Sequence, residues 1–412
     1  MSPPRIVLVG STGYTGSLVA RELAGGDVPF VLAGRDGGKL ERLAASLSAA
    51  GAGHAGSETG AQAPGAAGEK SGSAGPPRAG ATPPSTATVD VTRPDTLKSL
   101  LRPGDVVVSC AGPFLELGEP VIRACIEAGA HYLDTTGEQR FMKRVVDRYD
   151  EAAREAGVTV ANAMAFEYAL GDAAAALAAD GLGRPLRLVE LVYGWTGGAA
   201  ATSRGTRASI LRIMAAPGLA YRDGAWVPER AARRRTVVEL PDGSRRPAIT
   251  LPTGEIVTVP RHLDVRGVRG WAVTGGLTAR AATLLSPVLP ALVRSLLPLL
   301  DRWARGGAAG PSEAERRSGE FEIVARATGA GGRTRTVAVR GQDPYGLTAA
   351  IITAGARRLA GGGLPDGGLP GGEGRSDGET DVPAGVQPPV RLLPPVDLRR
   401  VLEGRGLRWD TL

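Results

Sequence analysis

The chain has 412 residues, of which 42% are apolar, 22% charged and 4% aromatic, and its net charge is +7. This length exceeds one typical domain and predicts two, each with a buried core. With few aromatic residues and no zinc-ligand or helix-turn-helix spacing, a nucleic-acid-binding protein is not expected, and an anionic ligand accounts for the positive charge.

Cysteine and histidine usage narrows the class further. Two cysteines and three histidines exclude a disulfide scaffold and a histidine- or cysteine-rich metal cluster, so no metal site is predicted. The apolar run after MSPPR is too short for a signal peptide. We therefore expect a reducing, cytoplasmic location.

The first predicted strand, IVLV, runs directly into GSTGYTG, with glycines at Gly10, Gly13 and Gly16. In a dinucleotide-binding turn the first glycine permits the sharp turn, the second lets the backbone approach a pyrophosphate, and the third lets the helix pack closely on the sheet. The amino end of that helix favours phosphate. The pattern predicts a dinucleotide site, with a purely structural turn as the alternative.

The second strand, PFVLAGRD, ends at Arg35. A site for NAD carries an acidic residue there, about 20 residues beyond the glycines, to bind the ribose 2′-hydroxyl. A guanidinium fits a 2′-phosphate instead, so we predict NADP as the cofactor. Asp36 could contact a ribose, but it precedes a helical pattern and is typical of an N-cap.

Strands and helices alternate through the first 165 residues. A Gly/Ala/Ser/Pro-rich stretch over 49–86 predicts a disordered loop. The strands ATVDV, DVVVSCAGPF, HYLDTTGE and VTVANAM then alternate with helices, which predicts a doubly wound parallel sheet. Ligands bind outside the carboxyl ends of such strands, so a nicotinamide would rest near residues 111–114, although a plain tight turn explains Gly112 and Pro113 equally well.

Beyond residue 166 the pattern changes to alternating, turn-punctuated runs such as LRLVELVYGWTG and RTRTVAVRG. These predict a second, α+β domain with an antiparallel sheet over 166–345, for substrate binding or dimerisation. We expect 346–412 to form C-terminal helices that return to the core, with a flexible loop over 361–388. The fold class is therefore α/β, a Rossmann domain followed by an α+β domain.

Residues 281–300, AATLLSPVLPALVRSLLPLL, form the most apolar stretch. Its length approaches a membrane span, but three prolines and Arg294 argue against a lone spanning helix. We expect a buried helix pair or one that faces a second subunit in a homodimer. The alternative is a segment at a membrane periphery or against an acyl chain.

Taken together, GSTGYTG, AGRD, SCAGPFLELGEPVIRACIEAGAHYLDTTGE and SRGTRAS resemble the saccharopine dehydrogenase-like oxidoreductases, specifically the trans-acting enoyl reductase branch. The resemblance implies a Rossmann domain, an α+β domain, and NADPH-dependent reduction of a carbon–carbon double bond in a carrier-bound polyketide or lipid-like substrate. Pattern and resemblance together predict these cofactor contacts: Gly10, Ser11, Thr12, Gly13, Tyr14, Thr15, Gly16, Arg35, Asp90, Ala111, Gly112, Pro113 and Phe114.

Such a reduction needs a group that stabilises the enolate and a proton for the α-carbon. The foremost candidates are Tyr168, Tyr132 and Glu167, followed by His131 and Glu138. Each has a structural interpretation as well: a strand-end tyrosine is usually half-buried packing, and Glu167 could simply favour the amino end of a helix.

Other functions stay open from the sequence. No tyrosine has a lysine four residues later, which excludes the Tyr/Lys pair of short-chain dehydrogenases. The remaining alternatives are hydride transfer to an imine or ketone, as in saccharopine dehydrogenases, and a non-enzymatic NADP-sensing protein.

Overall fold

The computed structural model describes residues 3–55, 84–196, 202–362 and 382–412. Most of the predicted disordered loop 49–86 and of the predicted flexible loop 361–388 therefore lies outside the described residues. The remainder forms two β-sheets with helices packed around them.

The first sheet has seven parallel strands. In chain order they are β1 (Ile6–Val9), β2 (Phe30–Gly34), β3 (Ser85–Thr88), β4 (Val106–Ser109), β5 (His131–Asp134), β6 (Thr159–Ala161) and β15 (Gly385–Val386). Their spatial order is β3-β2-β1-β4-β5-β6-β15, so the order reverses between β1 and β4. The predicted Rossmann fold is confirmed, and the reversal is the point where such sheets bind ligands.

Helices cover both faces of this sheet. They are α1 (Tyr14–Ala24), α2 (Gly37–Ala55), α3 (Pro94–Lys98), α4 (Phe114–Ala128) and α5 (Gln139–Glu155), joined by α12 (Pro344–Leu359) from the C-terminal part. The next helix, α6 (Phe166–Ala179), packs between α12 and the second sheet. The central strands β1 and β4 are buried on both sides, as their unbroken apolar sequences IVLV and VVVS require. Helix α12 packs against α1, β4 and β5, so the C-terminal part completes the first core.

The second sheet is mixed rather than wholly antiparallel, because β7 and β12 pair in parallel. Its strands are β7 (Leu188–Thr196), β8 (Gly218–Arg222), β9 (Ala225–Glu229), β10 (Arg235–Glu239), β11 (Arg245–Thr250), β12 (Val268–Val273), β13 (Glu320–Thr328), β14 (Thr334–Gln342) and β16 (Arg408–Thr411). The remaining helices are α7 (Arg204–Met214), α8 (Glu255–Thr258), α9 (Gly276–Leu285), α10 (Leu289–Arg305), α11 (Glu313–Ser318), α13 (Pro389–Leu392) and α14 (Pro395–Val401). Helices α13 and α14 pack on α6.

Two predicted loop boundaries are wrong. Helix α2 continues to Ala55, inside the stretch predicted as disordered from residue 49. Residues 385–387, predicted as flexible, lie beside β6: the Gly385 and Gln387 amides donate to the carbonyls of Val158 and Val160, both at 2.8 Å. Main-chain pairing with a buried strand orders this segment despite its glycine- and proline-rich composition.

The C-terminal segment and the apolar stretch also differ from expectation. The last helix ends at Val401, and residues 408–411 form an edge strand on β14, after two glycines with positive φ, Gly404 and Gly406, turn the chain. The apolar stretch forms α9 and α10, but a buried pair is wrong because one face is exposed: Leu277 and Leu284 are 81% and 78% accessible.

Candidate functional site

The glycine loop lies at the reversal of strand order, packed against the loop after β4. Gly10 has φ +77°, and a Cβ there would sit 3.0 Å from backbone atoms of Cys110 and Ala111. A Cβ on Gly13 would come 3.1 Å from the Gly10 carbonyl oxygen, and one on Gly16 would collide with it. Gly10 and Gly16 therefore require glycine, for the turn and for close helix packing, and a side chain at Gly13 would be tight.

Helix α1 presents its amino end beside this loop. Its N-cap is Gly13, which offers no capping side chain, and Thr12 and Gly13 are exposed. The first main-chain N–H groups of the helix thus form a cradle suited to a pyrophosphate. Ser11 plays another part: its hydroxyl and amide both donate to the Ala33 carbonyl, at 3.3 and 3.4 Å, which ties the loop to β2.

Tyr14 occupies the first helical position, but its side chain faces the second domain. The hydroxyl donates to the Pro311 carbonyl at 2.5 Å, and the ring packs edge-on against Tyr345 with centroids 4.9 Å apart. Burial raises the pKa of Tyr14 to about 12. Tyr14 therefore joins the two domains beside the glycine loop, and only its main chain remains for a phosphate.

Arg35 extends from the end of β2 and is exposed. Among the described residues it forms no ion pair, which leaves its guanidinium available to a 2′-phosphate. Asp36 is committed elsewhere, because its carboxylate accepts the Lys39 amide at 3.0 Å as the N-cap of α2. Asp90, beyond β3, accepts the amide and hydroxyl of Thr92, and these hydrogen bonds lower the pKa of Asp90.

The turn from β4 into α4, residues 111–113, is held by a carboxylate from a different loop. Glu138 is 3% exposed and accepts the main-chain N–H groups of Phe114 at 3.0 Å and Leu115 at 2.9 Å. It also accepts the hydroxyl of Ser209, on α7 of the second domain, at 2.7 Å. Glu138 thus caps α4 and fixes the wall where a nicotinamide would rest, a role the sequence did not reveal.

The string DTTGE after β5 forms a chain of hydrogen bonds that delivers Glu138. Buried Asp134 accepts the Thr136 amide at 3.0 Å, and the Thr136 hydroxyl accepts the Glu138 amide at 3.1 Å. Asn162 donates to the other Asp134 oxygen at 2.6 Å. Burial raises the pKa of Asp134 to about 7, so this support titrates near neutrality.

Tyr168 lies at the amino end of α6 against the same loop. A Cβ on Gly137 would collide with its hydroxyl, and one on Gly254 would come 2.9 Å from its ring. In the described part of the chain the hydroxyl has no hydrogen-bond partner. Burial, followed by the neighbouring carboxylates of Glu167 and Glu255, raises the pKa of Tyr168 well above 10. The phenol is therefore protonated, and no described residue takes up its hydrogen-bond donor.

Tyr132 and His131 are both engaged in structural hydrogen bonds. Tyr132 is fully buried beneath α4 and α5, and its hydroxyl donates to Asp134 at 2.9 Å. His131 is the first residue of β5 and therefore lies at the amino ends of the strands, away from the glycine loop. Its Nδ1 accepts the Thr159 amide at 3.0 Å, and burial lowers the pKa of His131 to about 4. Glu167 is half-buried in the first turn of α6, and burial raises its pKa to about 7.

A buried acid that no sequence motif indicated lies behind Tyr168. Glu255 is fully buried, and the hydroxyl of Tyr193 on β7 donates to it. Burial raises the pKa of Glu255 to about 8. Neither residue belongs to a recognisable spacing, because they come from β7 and α8 and meet only in the folded chain.

Helix α7 brings the SRGTRAS string beside Glu138 and the turn from β4 into α4. Ser203 caps this helix by accepting the Thr206 amide at 3.1 Å, and Arg212 donates to Glu116 at 2.8 Å and to Asp301 at 2.7 Å. Arg212 thereby links α4 of the Rossmann domain to α10. The string positions α7, and through Ser209 it reaches the wall described above.

Comparison with known proteins identifies the N-terminal domain. Residues 6–161 match the model of the saccharopine dehydrogenase NADP binding domain. A Mycobacterium tuberculosis protein with the provisional name trans-acting enoyl reductase is 32% identical over 219 residues, which are 51% of this chain and 44% of that protein. The bovine saccharopine dehydrogenase-like oxidoreductase is 28% identical over 237 residues, 54% of this chain and 44% of that one.

The matched regions are thus less than half of the length of these relatives. Among solved structures, the apo saccharopine dehydrogenase (L-Glu forming) of Saccharomyces cerevisiae aligns over 99% of this chain and 100% of its own, with a TM-score of 0.55 and 12% identity. That likeness establishes a shared fold.

Proposed function

Because residues 6–161 belong to the saccharopine dehydrogenase NADP binding domain family, and NADP is therefore the cofactor, we propose that the chain is an NADPH-dependent reductase of an activated carbon–carbon double bond. The substrate class is an enoyl thioester with a lipid-like or polyketide acyl chain, presented by a carrier. The name of the M. tuberculosis relative supports this reaction type.

The cofactor site supports the binding half of the proposal. The glycine loop and the uncapped amino end of α1 would hold the pyrophosphate, and Arg35 would bind the 2′-phosphate. The turn over residues 111–114, fixed by Glu138, would support the nicotinamide.

The observation that carries the chemical half is the protonated hydroxyl of Tyr168, which none of the described residues binds. When bound, NADPH supplies a hydride to the β-carbon, and the electron pair of the double bond moves onto the thioester oxygen as an enolate. A pre-positioned hydrogen-bond donor stabilises that charge in a site shielded from water. Tyr168 is such a donor: a phenol is protonated at neutral pH, and burial raises its pKa further. Water then supplies the α-proton, and the net change is addition of one hydride and one proton.

A substrate panel tests this proposal. Purified protein with NADPH is offered an enoyl thioester, a β-ketoacyl thioester and a cyclic imine, and the loss of NADPH absorbance is followed. We expect turnover with the enoyl thioester and a fall of about 10²-fold in kcat for Tyr168→Phe, with little change in NADPH affinity. Turnover confined to the imine or ketone, or tight NADP binding without any turnover, would overturn it.

A further inference from the structure

Helices α9 and α10 expose an apolar surface unlike any other in the described chain. Of thirteen exposed large apolar side chains among the described residues, eight lie on this pair. They include Leu277, Leu284, Val288, Leu292, Leu299 and Trp303. An exposed patch of this kind marks an interaction site.

The opposite side of α10 is firmly packed, so the exposed face is not an unfolded segment. Val293 and Ala304 form a buried cluster with Leu211 of α7 and with Ala215, the residue that follows α7. Arg212 of α7 also binds Asp301 of α10 at 2.7 Å. One face of α10 is thus anchored on α7, while the other face is exposed to solvent.

The charges in this pair are almost all positive. Residues 276–305 contain four arginines and one acid, Asp301, which is already paired with Arg212 and Arg305. Exposed Arg280 and Arg302 form no ion pair within the described part of the protein. The apolar surface is therefore bordered by uncompensated positive charge.

A second group of arginines lies beside the bend between the two helices. The Ser286 hydroxyl donates to the Ala231 carbonyl at 2.8 Å, and α9 packs on β10 and β11. Those strands and the turn before them expose Arg233, Arg235, Arg245 and Arg246, none of which is ion-paired among the described residues. The arginine run in the sequence thus belongs to this surface.

The shape favours lying on a bilayer over crossing one. No single helix in the described ranges has the length and apolar composition to cross a membrane, and α9 and α10 reach that criterion only as a pair bent by 90°. Apolar faces with tryptophan, bordered by arginines, are typical of helices that lie in the interface plane of a membrane.

We propose that the α9–α10 pair, together with the arginines of β10 and β11, docks on the surface of an anionic lipid bilayer. A second copy of the chain fits less well, because a symmetric interface would bring the same arginine-bordered surfaces together, and like charges repel. An anionic bilayer satisfies both features at once: its acyl region accepts the leucines and its head groups pair with the guanidinium groups. Docking does not depend on which substrate the cleft reduces.

Vesicle flotation of the full chain tests the proposal. We expect binding to vesicles of phosphatidylcholine with phosphatidylglycerol, much weaker binding to phosphatidylcholine alone, and weakening by salt. Leu284→Asp should weaken binding more than tenfold, since it removes an apolar group that the bilayer would bury and adds a negative charge that the anionic head groups repel. The matched control is Val396→Asp, at a 64% exposed position on α14, and it should bind as the parent does.

Charge and depth provide independent readouts. Arg233→Gln and Arg246→Gln should each weaken binding to anionic vesicles about fivefold. Brominated lipids should quench tryptophan fluorescence, and Trp303→Phe should remove most of that quenching. Equal flotation of Leu284→Asp and the parent, or no flotation with anionic vesicles, would overturn the proposal. The proposal would also be overturned if the parent protein is a dimer that does not float and Leu284→Asp converts it to a monomer. The surface would then be a subunit interface.

Discussion

Replacing Glu138 by glutamine is expected to loosen the turn from β4 into α4. The carboxylate accepts two main-chain N–H groups at the start of α4, from Phe114 and Leu115, and the hydroxyl of Ser209. A glutamine of the same size keeps one acceptor oxygen but directs an NH₂ group at a neighbouring donor. At least one buried N–H then loses its partner.

The magnitude follows from those contacts. A hydrogen bond to a charged group contributes about 1.5–3 kcal/mol, and an unsatisfied buried donor adds a penalty of about 1–3 kcal/mol. Because Glu138 is 3% exposed, water replaces little of this loss. Glu138→Gln should therefore lower the free energy of unfolding by about 2–4 kcal/mol. Ser209→Ala, which leaves the cap of α4 intact, should cost about 1 kcal/mol.

Urea unfolding and NADPH calorimetry measure the two effects together. We expect Glu138→Gln to weaken NADPH binding about tenfold, equivalent to about 1.4 kcal/mol, while Ser209→Ala leaves it nearly unchanged. The double variant should be non-additive by about 0.5–3 kcal/mol because the two side chains share a hydrogen bond. A stability change for Glu138→Gln within about 0.5 kcal/mol, with unchanged NADPH affinity, would refute the capping role.

Three further substitutions address the cofactor, the cleft and the buried acid. Arg35→Ala should weaken NADPH binding about 10- to 100-fold by loss of a charged hydrogen bond and leave NADH binding unchanged, as calorimetry would show; equal losses for both would contradict it. Gly137→Ala should displace Tyr168 and lower kcat with NADPH affinity kept, whereas Gly183→Ala, whose nearest neighbour would be 3.9 Å away, should do neither. Burial raises the pKa of Glu255 from 4.5 to about 8, so between these pH values the folded state keeps a proton that the unfolded state has lost. The free energy of unfolding should therefore fall by about 1.4 kcal/mol for each unit by which the pH rises from 4.5 to 8. Glu255→Gln should flatten that slope in urea titrations, and an unchanged slope would count against it.

The geometry of the glycine loop could be predicted from sequence because its requirements are local. Gly10, Gly13 and Gly16 are needed by contacts within one turn and with one neighbouring loop, and Arg35 follows its strand directly. Such constraints are set by residues close in the chain and by the regular geometry of a parallel sheet.

The rest depends on partners distant in sequence. Nothing near Glu138 indicates that it caps α4 or that Ser209 binds it, 71 residues later. Tyr132 and Tyr168 both follow apolar patterns, yet one phenol is buried on Asp134 and the other faces Gly137. Which of two tyrosines lies beside Gly137 is decided by the packing of whole elements, which periodicity does not encode.

Calorimetric titration of the folded chain with NADPH and with NADH tests the central claim most directly. We predict saturable NADPH binding, distinctly tighter than NADH binding. The absence of measurable binding for both coenzymes, in protein shown to be folded by circular dichroism, would contradict it.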